Sequence, residues 1–162
     1  MHKRLFAHVA LALAAAALAH SAFAAEGDDV RWRKVQSPWG HGPWIEASGL
    51  EKARKSRANR RTVTMLSFGG QPAGGAIAAY HIDEVTFDCE SAGYDEAQRF
   101  FDEGGLLIET DSSKENSIIP GVPMIQVYGQ VCQGDAADGP TVVGVAAARA
   151  FDATEAAGTP HR

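Results

Sequence analysis

The sequence contains few of the residues that catalytic and metal-binding sites most often require. Only two of its 162 residues are cysteines, Cys89 and Cys132, and neither has the close cysteine or histidine partner of a thiolate metal site. It also lacks the Gly-x-Ser-x-Gly elbow of serine hydrolases, and its glycine-rich stretch at 69–75 has no phosphate-binding lysine. We therefore expect a protein that is not an enzyme and that uses no metal or other cofactor.

Basic residues are outnumbered, which restricts the classes of partner. The chain has 15 lysines and arginines against 20 aspartates and glutamates, for a formal net charge of −5. Proteins that bind nucleic acids or anionic membranes in general present a basic surface to them. We expect no nucleic-acid partner for this acidic chain.

The first 24 residues are typical of a secretory signal peptide. Lys3 and Arg4 precede an apolar stretch at 5–19, and Ala22-Phe23-Ala24 forms the small-x-small site that signal peptidase accepts. The stretch is shorter than the about 20 apolar residues of a membrane-spanning helix, so we expect cleavage after Ala24 and no membrane span afterwards. No cysteine follows the cleavage site to carry a lipid anchor. The protein is expected to be exported, and to be periplasmic, surface-displayed or secreted.

Processing at this site would make the chain more acidic and leave enough residues for one domain. Loss of Lys3 and Arg4 leaves 13 of the 15 basic residues against all 20 acidic ones. A chain of residues 25–162 fits one hydrophobic core better than two. We expect a domain at 25–133 and a mobile tail, rich in alanine and glycine, at 134–162, with a weak helix or strand at 142–151 as the alternative within it.

The two cysteines predict a disulfide. An even count in an exported chain is first interpreted as a bridge, because the cell envelope allows disulfides to persist. Free catalytic or metal-binding thiols are the weaker alternative. We therefore expect Cys89 and Cys132 to be joined.

From residue 30 onward, the chain resembles a series of short strands separated by turn residues. The clearest strand is 80–90, where Val85, Phe87 and Cys89 alternate with polar residues in the period of a half-buried sheet. The segment 94–101 fits a helix or a strand, and the hairpin signal that follows favours the strand. In chain order the expected strands are 30–37, 44–46, 60–68, 80–90, 94–101 and 106–110.

One segment has helical rather than strand periodicity. At 100° per residue, Met124, Tyr128 and Cys132 fall on one side of the segment 122–133, while its glutamines fall on the other. Because Cys89 is expected to face the core, the disulfide would tie this helix across the sheet. The fold class predicted is α+β: a small antiparallel sheet of about five or six strands with one C-terminal helix fastened by the disulfide.

The order of these elements resembles the bacterial surface-adhesin protein E family over about residues 30–132. The resemblance is carried by a tryptophan in the first strand, a Val63-containing strand and the four segments Trp44-Ile45-Glu46-Ala47-Ser48-Gly49-Leu50, Phe87-Asp88-Cys89, Pro120-Gly121 and Val131-Cys132. It implies a small antiparallel sheet with one disulfide-tied helix, and a role in binding host extracellular-matrix or serum proteins. The chain departs from the family in Trp44 and Glu46, where members usually carry tyrosine and aspartate, and in its extension beyond Cys132.

A basic run and a tryptophan-rich loop are the candidate binding sites. The basic run would suit an acidic protein or a sulfated polysaccharide, although a solvated turn is the simpler interpretation. Trp39 and Trp44 flank a loop that could stack on a planar ligand, and folding back onto the core is the alternative. The basic residues are Lys52, Arg54, Lys55, Arg57, Arg60 and Arg61.

Two weaker patterns concern titratable residues. His81 and Asp83 would project from one face of a strand and could ligate a metal only with a distant third ligand, so no metal site is predicted. Asp95, Glu96, Asp102 and Glu103 are interpreted as a polar face, with a pair of glycosidase carboxylates as the alternative.

These features lead to three functional hypotheses. The first is a non-enzymatic, adhesin-like binding module that engages a protein or extracellular-matrix partner through its sheet, and that forms a homodimer by covering an open edge. The second is a periplasmic inhibitor or small-ligand carrier that uses the tryptophan loop. The third is a hydrolase with dispersed carboxylates.

Overall fold

The computed structural model describes residues 26–37, 42–119 and 123–158. The predicted signal peptide, Trp39 and the Pro120-Gly121 step lie outside these residues. The strands are β1 (Arg31–Lys34), β2 (Trp44–Glu46), β3 (Arg60–Phe68), β4 (Tyr80–Asp88), β5 (Gly93–Phe101), β6 (Leu107–Ser117) and β7 (Thr141–Val143). The helices are α1 (Ala47–Lys55), α2 (Met124–Tyr128), which continues as a π-helical segment at Gly129–Gln133, and α3 (Val145–Gly158).

The strands form one antiparallel sheet of seven strands in the order β6-β5-β4-β3-β2-β1-β7. Six of the strands follow the chain as a meander, because each strand from β2 to β6 pairs with the strand before it, and α1 lies in the connection from β2 to β3. The last strand, β7, returns to the far side and pairs with β1, where Trp32 lies opposite Val142. The result leaves β6 and β7 at the two edges of the sheet.

Alternation along the central strands supplies apolar side chains to both faces of the sheet. In β4, Val85 and Phe87 point to one face, and Tyr80 and Ile82 point to the other. We call the face that carries Val85 the first face and the face that carries Ile82 the second face. Because both are apolar in the middle of the sheet, each needs a covering layer.

The first face is covered by α1, α2 and the π-helical segment. Leu50 of α1 and Val127 and Val131 of the α2 region pack with Val85 and Phe87 in one buried cluster. The disulfide joins Cys89, directly after β4, to Cys132 in the π-helical segment, with 5.3 Å between their Cα atoms. The predicted disulfide is therefore present, and it lies at the helix that the sequence placed across the sheet.

The second face is covered by α3, which begins in the range 142–151, where the sequence indicated only a weak helix or strand. Val145 and Ala148 are buried against Trp32 and Ile82. Lys34, which is 4 % exposed, forms an ion pair with Asp152 of α3 at 2.6 Å. The expectation of a mobile tail at 134–162 is thus wrong for most of its length, because β7 and α3 complete the sheet and its second layer.

The α+β class and the antiparallel sheet are confirmed, and the element counts need correction. The sheet has seven strands rather than five or six, and three helices rather than one pack on it. One of these helices, α1, has nine residues, of which Ala47, Leu50 and Ala53 are buried. The uncertain segment at 94–101 is a strand, as favoured.

Candidate functional site

A groove of about 640 Å³ lies on the first face of the sheet. Its floor consists of side chains from β3, β4 and β5, and its walls come from the residues before β2, the end of β6 and the start of α2. Trp44 of β2, Phe68 of β3 and Asp152 of α3 also line it. The floor residues are Met65, Ser67, His81, Asp83, Tyr94, Glu96 and Gln98. The groove thus brings His81 and Asp83, which the sequence placed on one strand face, together with residues of the neighbouring strand.

Asp83 is a carboxyl group at the floor of the groove and is only 1 % exposed. Its Oδ1 accepts a hydrogen bond from Gln98 Nε2 at 3.4 Å, and its Oδ2 lies 3.4 Å from His81 Nε2. The other ring nitrogen, Nδ1 of His81, lies 3.0 Å from the carbonyl oxygen of Gly69. Because a carbonyl can only accept, Nδ1 carries the proton and Nε2 presents a lone pair to Asp83.

This arrangement favours a neutral pair. Burial, followed by the charge of Glu96, raises the pKa of Asp83 from 3.8 to about 8. Burial also lowers the pKa of His81 below its usual 6.5, because the imidazolium form loses hydration. At neutral pH, Asp83 is therefore a protonated carboxylic acid beside a neutral imidazole. A carboxylate facing the same lone pair would be repelled by it.

Glu96 is the second acidic group of the groove. It lies opposite Val85 in the β4–β5 ladder, which makes it a diagonal neighbour of Asp83 on the same face. Burial, and then the charge of Asp111, raises the pKa of Glu96. Sequence reasoning grouped Glu96 with three other carboxylates and missed Gln98, because only the register of β4 against β5 brings them beside Asp83.

The other three dispersed carboxylates hold the structure together elsewhere. Asp95 pairs with Arg60 at 2.6 Å, and Glu103 pairs with Arg149 of α3. Asp102 accepts the N–H groups of Gly104 and Leu106 and so closes the β5–β6 turn. Of the four, only Glu96 is among the residues that line the groove.

The groove does not gather the ligands of a metal ion. Within the described ranges, no group of three or more histidine, cysteine, aspartate or glutamate side chains is placed to hold one. His81 and Asp83 contact each other, and the third side chain beside them is the amide of Gln98. An amide together with a neutral carboxyl suits an organic ligand better than a divalent cation.

Some residues of the basic run bond to neighbouring parts of the fold, and the others lie exposed on the surface. Arg60 pairs with Asp95, and Arg61 donates to the carbonyls of Ala58 and Val131 at 3.0 and 2.7 Å. Arg54 donates to the carbonyl of Gly134 at 3.3 Å. Arg61 and Arg54 therefore bind carbonyls at and just beyond the end of the π-helical segment. The exposed remainder of the run consists of Lys52 and Lys55 on α1 and Arg57 after it.

The tryptophan-loop hypothesis needs correction at Trp44. Its side chain is fully buried and packs edge-on against Phe151 of α3, with 5.5 Å between the ring centroids. Its indole N–H donates to Asp152 Oδ1 at 3.2 Å. A ring in this position cannot stack on a ligand from solvent, so Trp44 belongs to the core. The loop partner Trp39 is outside the described residues.

The edge strand β6 is the other candidate contact surface. It pairs only with β5, so its outer edge has no strand partner within the described part of the chain. The N–H of Ser112 donates to the carboxylate of Asp111 at 2.7 Å instead of to β5, which indicates that it faces this outer edge. Leu106, Leu107 and Ile108 are 68 %, 48 % and 37 % exposed at its start.

Comparisons of the chain with protein-family models, curated proteins and solved structures found no match. The resemblance to the surface-adhesin protein E family therefore stays a prediction. Among the described residues, no helix has the length and apolar character needed to cross a membrane.

Proposed function

We propose that this protein is an exported, non-enzymatic binding module that engages an extended segment of a protein partner along the outer edge of β6. The observation that carries the proposal is the length of that edge. The strand spans 11 residues, Leu107–Ser117, and among the described residues it pairs with β5 alone. Unpaired N–H and C=O groups along a strand form a template for an added strand, and main-chain hydrogen bonds then supply the affinity.

The charge of β6 favours a basic partner. Glu109, Asp111 and Glu115 are opposed on this strand by one lysine, Lys114. Pairing of β6 with a second copy of itself would place like charges across the new ladder, which is unfavourable. A segment with basic and β-branched residues matches both the acidic side chains and the apolar start of the strand, so we favour it over a homodimer.

Two further features support export and an adhesin-like role. The Cys89–Cys132 disulfide suits an oxidising compartment such as the periplasm or the cell exterior. The resemblance described above suggests that the partner is an extracellular-matrix or serum protein. Both extend the binding proposal, and neither is needed for the contact at β6.

Selection of displayed twelve-residue peptides on the oxidised domain would test the proposal. We expect enrichment of basic peptides in which β-branched residues alternate with polar ones. In amide hydrogen exchange, the chosen peptide should protect the outward N–H groups of β6. Peptides that bind without changing exchange in β6 would contradict the proposal and direct attention to another surface.

Replacement of Ser112 by proline should weaken binding of the selected peptide at least tenfold. The N–H that proline removes bonds only to the Asp111 carboxylate, so an added strand loses a donor while the β5–β6 ladder keeps its own. The control Ser112→Ala retains the N–H and should bind normally. Unchanged affinity in Ser112→Pro, with β5–β6 amides still protected in the free protein, would contradict pairing at this edge.

A further inference from the structure

The groove on the first face gathers carboxyl groups from adjacent strands. Asp83 on β4 and Glu96 on β5 line it, and Asp111 on β6 lies next to them, because it is opposite Gln98 of β5. No lysine or arginine is among the described residues that line the groove. Each carboxyl group therefore sits where a positive charge would be stabilising.

The neighbouring elements do not supply that positive charge. Arg99 attracts the Asp83 carboxylate from a distance, but it lies opposite Ile82 of the second face and forms an ion pair with Glu26. His81 uses its proton on the carbonyl of Gly69 and remains neutral. From the helical side, the groove is bounded by the uncharged Pro123 and Met124 and by Asp152 of α3. The Lys34 ammonium is already paired with Asp152 at 2.6 Å.

The rest of the groove is suited to an apolar body. Met65, Tyr94, Ile119 and Met124 line it beside the acidic end. Its volume of about 640 Å³ falls within the range of pockets that enclose small organic molecules, roughly 300–1,000 Å³. Methionine side chains adapt to ligands of different shape, because they are unbranched and polarisable.

We propose that this groove binds a small organic cation whose ammonium group lies against Glu96, Gln98 and Asp83 and whose apolar part packs on Met65, Tyr94 and Met124. This site is on the first face of the sheet, and it goes beyond the partner contact proposed for the β6 edge. The ammonium supplies the positive charge that the fold leaves out, and Gln98 and Glu96 offer acceptors to its N–H groups.

Binding of the cation should release a proton. In the free protein the Asp83 carboxyl is protonated at neutral pH, because its pKa is about 8. An ammonium beside it favours the carboxylate, so the O–H bond of Asp83 breaks, the proton leaves to solvent and the carboxylate pairs with the ligand. Affinity should consequently rise between pH 6 and pH 8, since the competing proton becomes scarcer.

Titration calorimetry with phenethylamine and its neutral isostere 2-phenylethanol tests the proposal on the oxidised domain. We expect the amine to bind at least tenfold more tightly than the alcohol. At pH 7, the heats in phosphate and Tris buffers should differ by the release of up to one proton per site. Glu96→Gln should weaken the amine about tenfold, while Glu84→Gln, an exposed change on the opposite face of β4, should leave its affinity unchanged.

Three results would overturn the proposal. The first is equal affinity for the amine and the alcohol. The second is binding of the amine without release of a proton. The third is no binding of either phenethylamine or hexylamine up to about 10 mM, above which an affinity is too weak to be specific. None of these results bears on the peptide contact at β6, which the Ser112→Pro variant tests separately.

Discussion

Replacing both Cys89 and Cys132 by alanine is expected to lower the free energy of unfolding by roughly 4 kcal/mol. The disulfide closes a loop with a sequence separation of 43 residues, and in the chain-entropy model it stabilises the fold by restricting the unfolded chain. A loss of this size is a large fraction of the roughly 5–15 kcal/mol by which domains are usually stable.

The loss should have a local component at the π-helical segment. Without the bridge, Gly129–Gln133 is held to the end of β4 mainly by the buried Val131 and by the Tyr128 hydroxyl, which donates to the Cys89 carbonyl at 3.1 Å. We expect urea denaturation to report the global loss and amide exchange to accelerate first at 129–133. The wild type in reducing agent is the matched control. A difference below about 1 kcal/mol in both cases would contradict the role of the disulfide.

Asp83→Asn is expected to stabilise the protein at neutral and alkaline pH. The folded protein keeps a proton on Asp83 up to a pKa of about 8, whereas the unfolded chain loses it near 3.8. Stability from this group is complete below pH 3.8 and is lost as the pH rises towards 8, because the native state binds the extra proton. An amide at this position carries no charge at any pH and can donate to His81 Nε2, so the variant avoids the loss.

His81 contributes with the opposite sign over a lower range of pH. Its folded pKa lies below 6.5, so the unfolded chain binds a proton that folded His81 does not, and stability falls as the pH drops below 6.5. Between about pH 4 and 6.5 the two contributions oppose each other in the wild type. Above pH 6.5 only the Asp83 contribution changes, and stability should decline by about 2 kcal/mol up to pH 8.

Urea denaturation of both proteins from pH 5 to pH 8.5 measures this difference directly. The advantage of Asp83→Asn over the wild type should grow steadily with pH, and the decline between pH 6.5 and 8 should be absent from the variant. Glu84→Gln, an exposed change on the same strand, should follow the wild type within about 0.5 kcal/mol. Parallel curves for wild type and Asp83→Asn would show that Asp83 is ionised in the folded protein.

Strong local patterns explain why much of the sheet could be predicted from the sequence. The range 60–68 matches β3 residue for residue, because its β-branched and apolar residues alternate between turn signals. Cys89 and Cys132 were paired correctly because the sequence has only these two cysteines and a chain expected to be exported favours a disulfide. The strand pattern around Cys89 and the helix pattern around Cys132 agree with that pairing, since together they place a helix across the sheet.

The helix of the second layer was indicated only as a weak helix or strand at 142–151, because its pattern is weak in the sequence alone. The helix α3 is built largely from alanine, and only Val145 and Ala148 are buried. Two tertiary contacts hold α3 on the sheet, the ion pair of Lys34 with Asp152 and the edge-on packing of Trp44 against Phe151. Partners more than 100 residues apart leave no local pattern.

Only the β4 residues of the groove could be predicted from the sequence. Alternation along β4 placed His81 and Asp83 on one face, but it could not show that Asp83 is buried or that Glu96 and Gln98 approach it from β5. Those facts depend on strand register, which pairs Asp83 with Gln98. The contact made by Arg61 could not be predicted for a similar reason. Its guanidinium donates to the backbone carbonyl of Val131, which lies 70 residues away in the sequence.

The most direct test of this account is a ¹³C NMR titration of the Asp83 side-chain carboxyl in the oxidised protein, with Asp83→Asn used to assign the signal. The buried, neutral acid at the floor of the groove predicts a midpoint near pH 8. A midpoint near pH 4, the ordinary value for an aspartate, would contradict it and would remove the proton release expected when the cation binds.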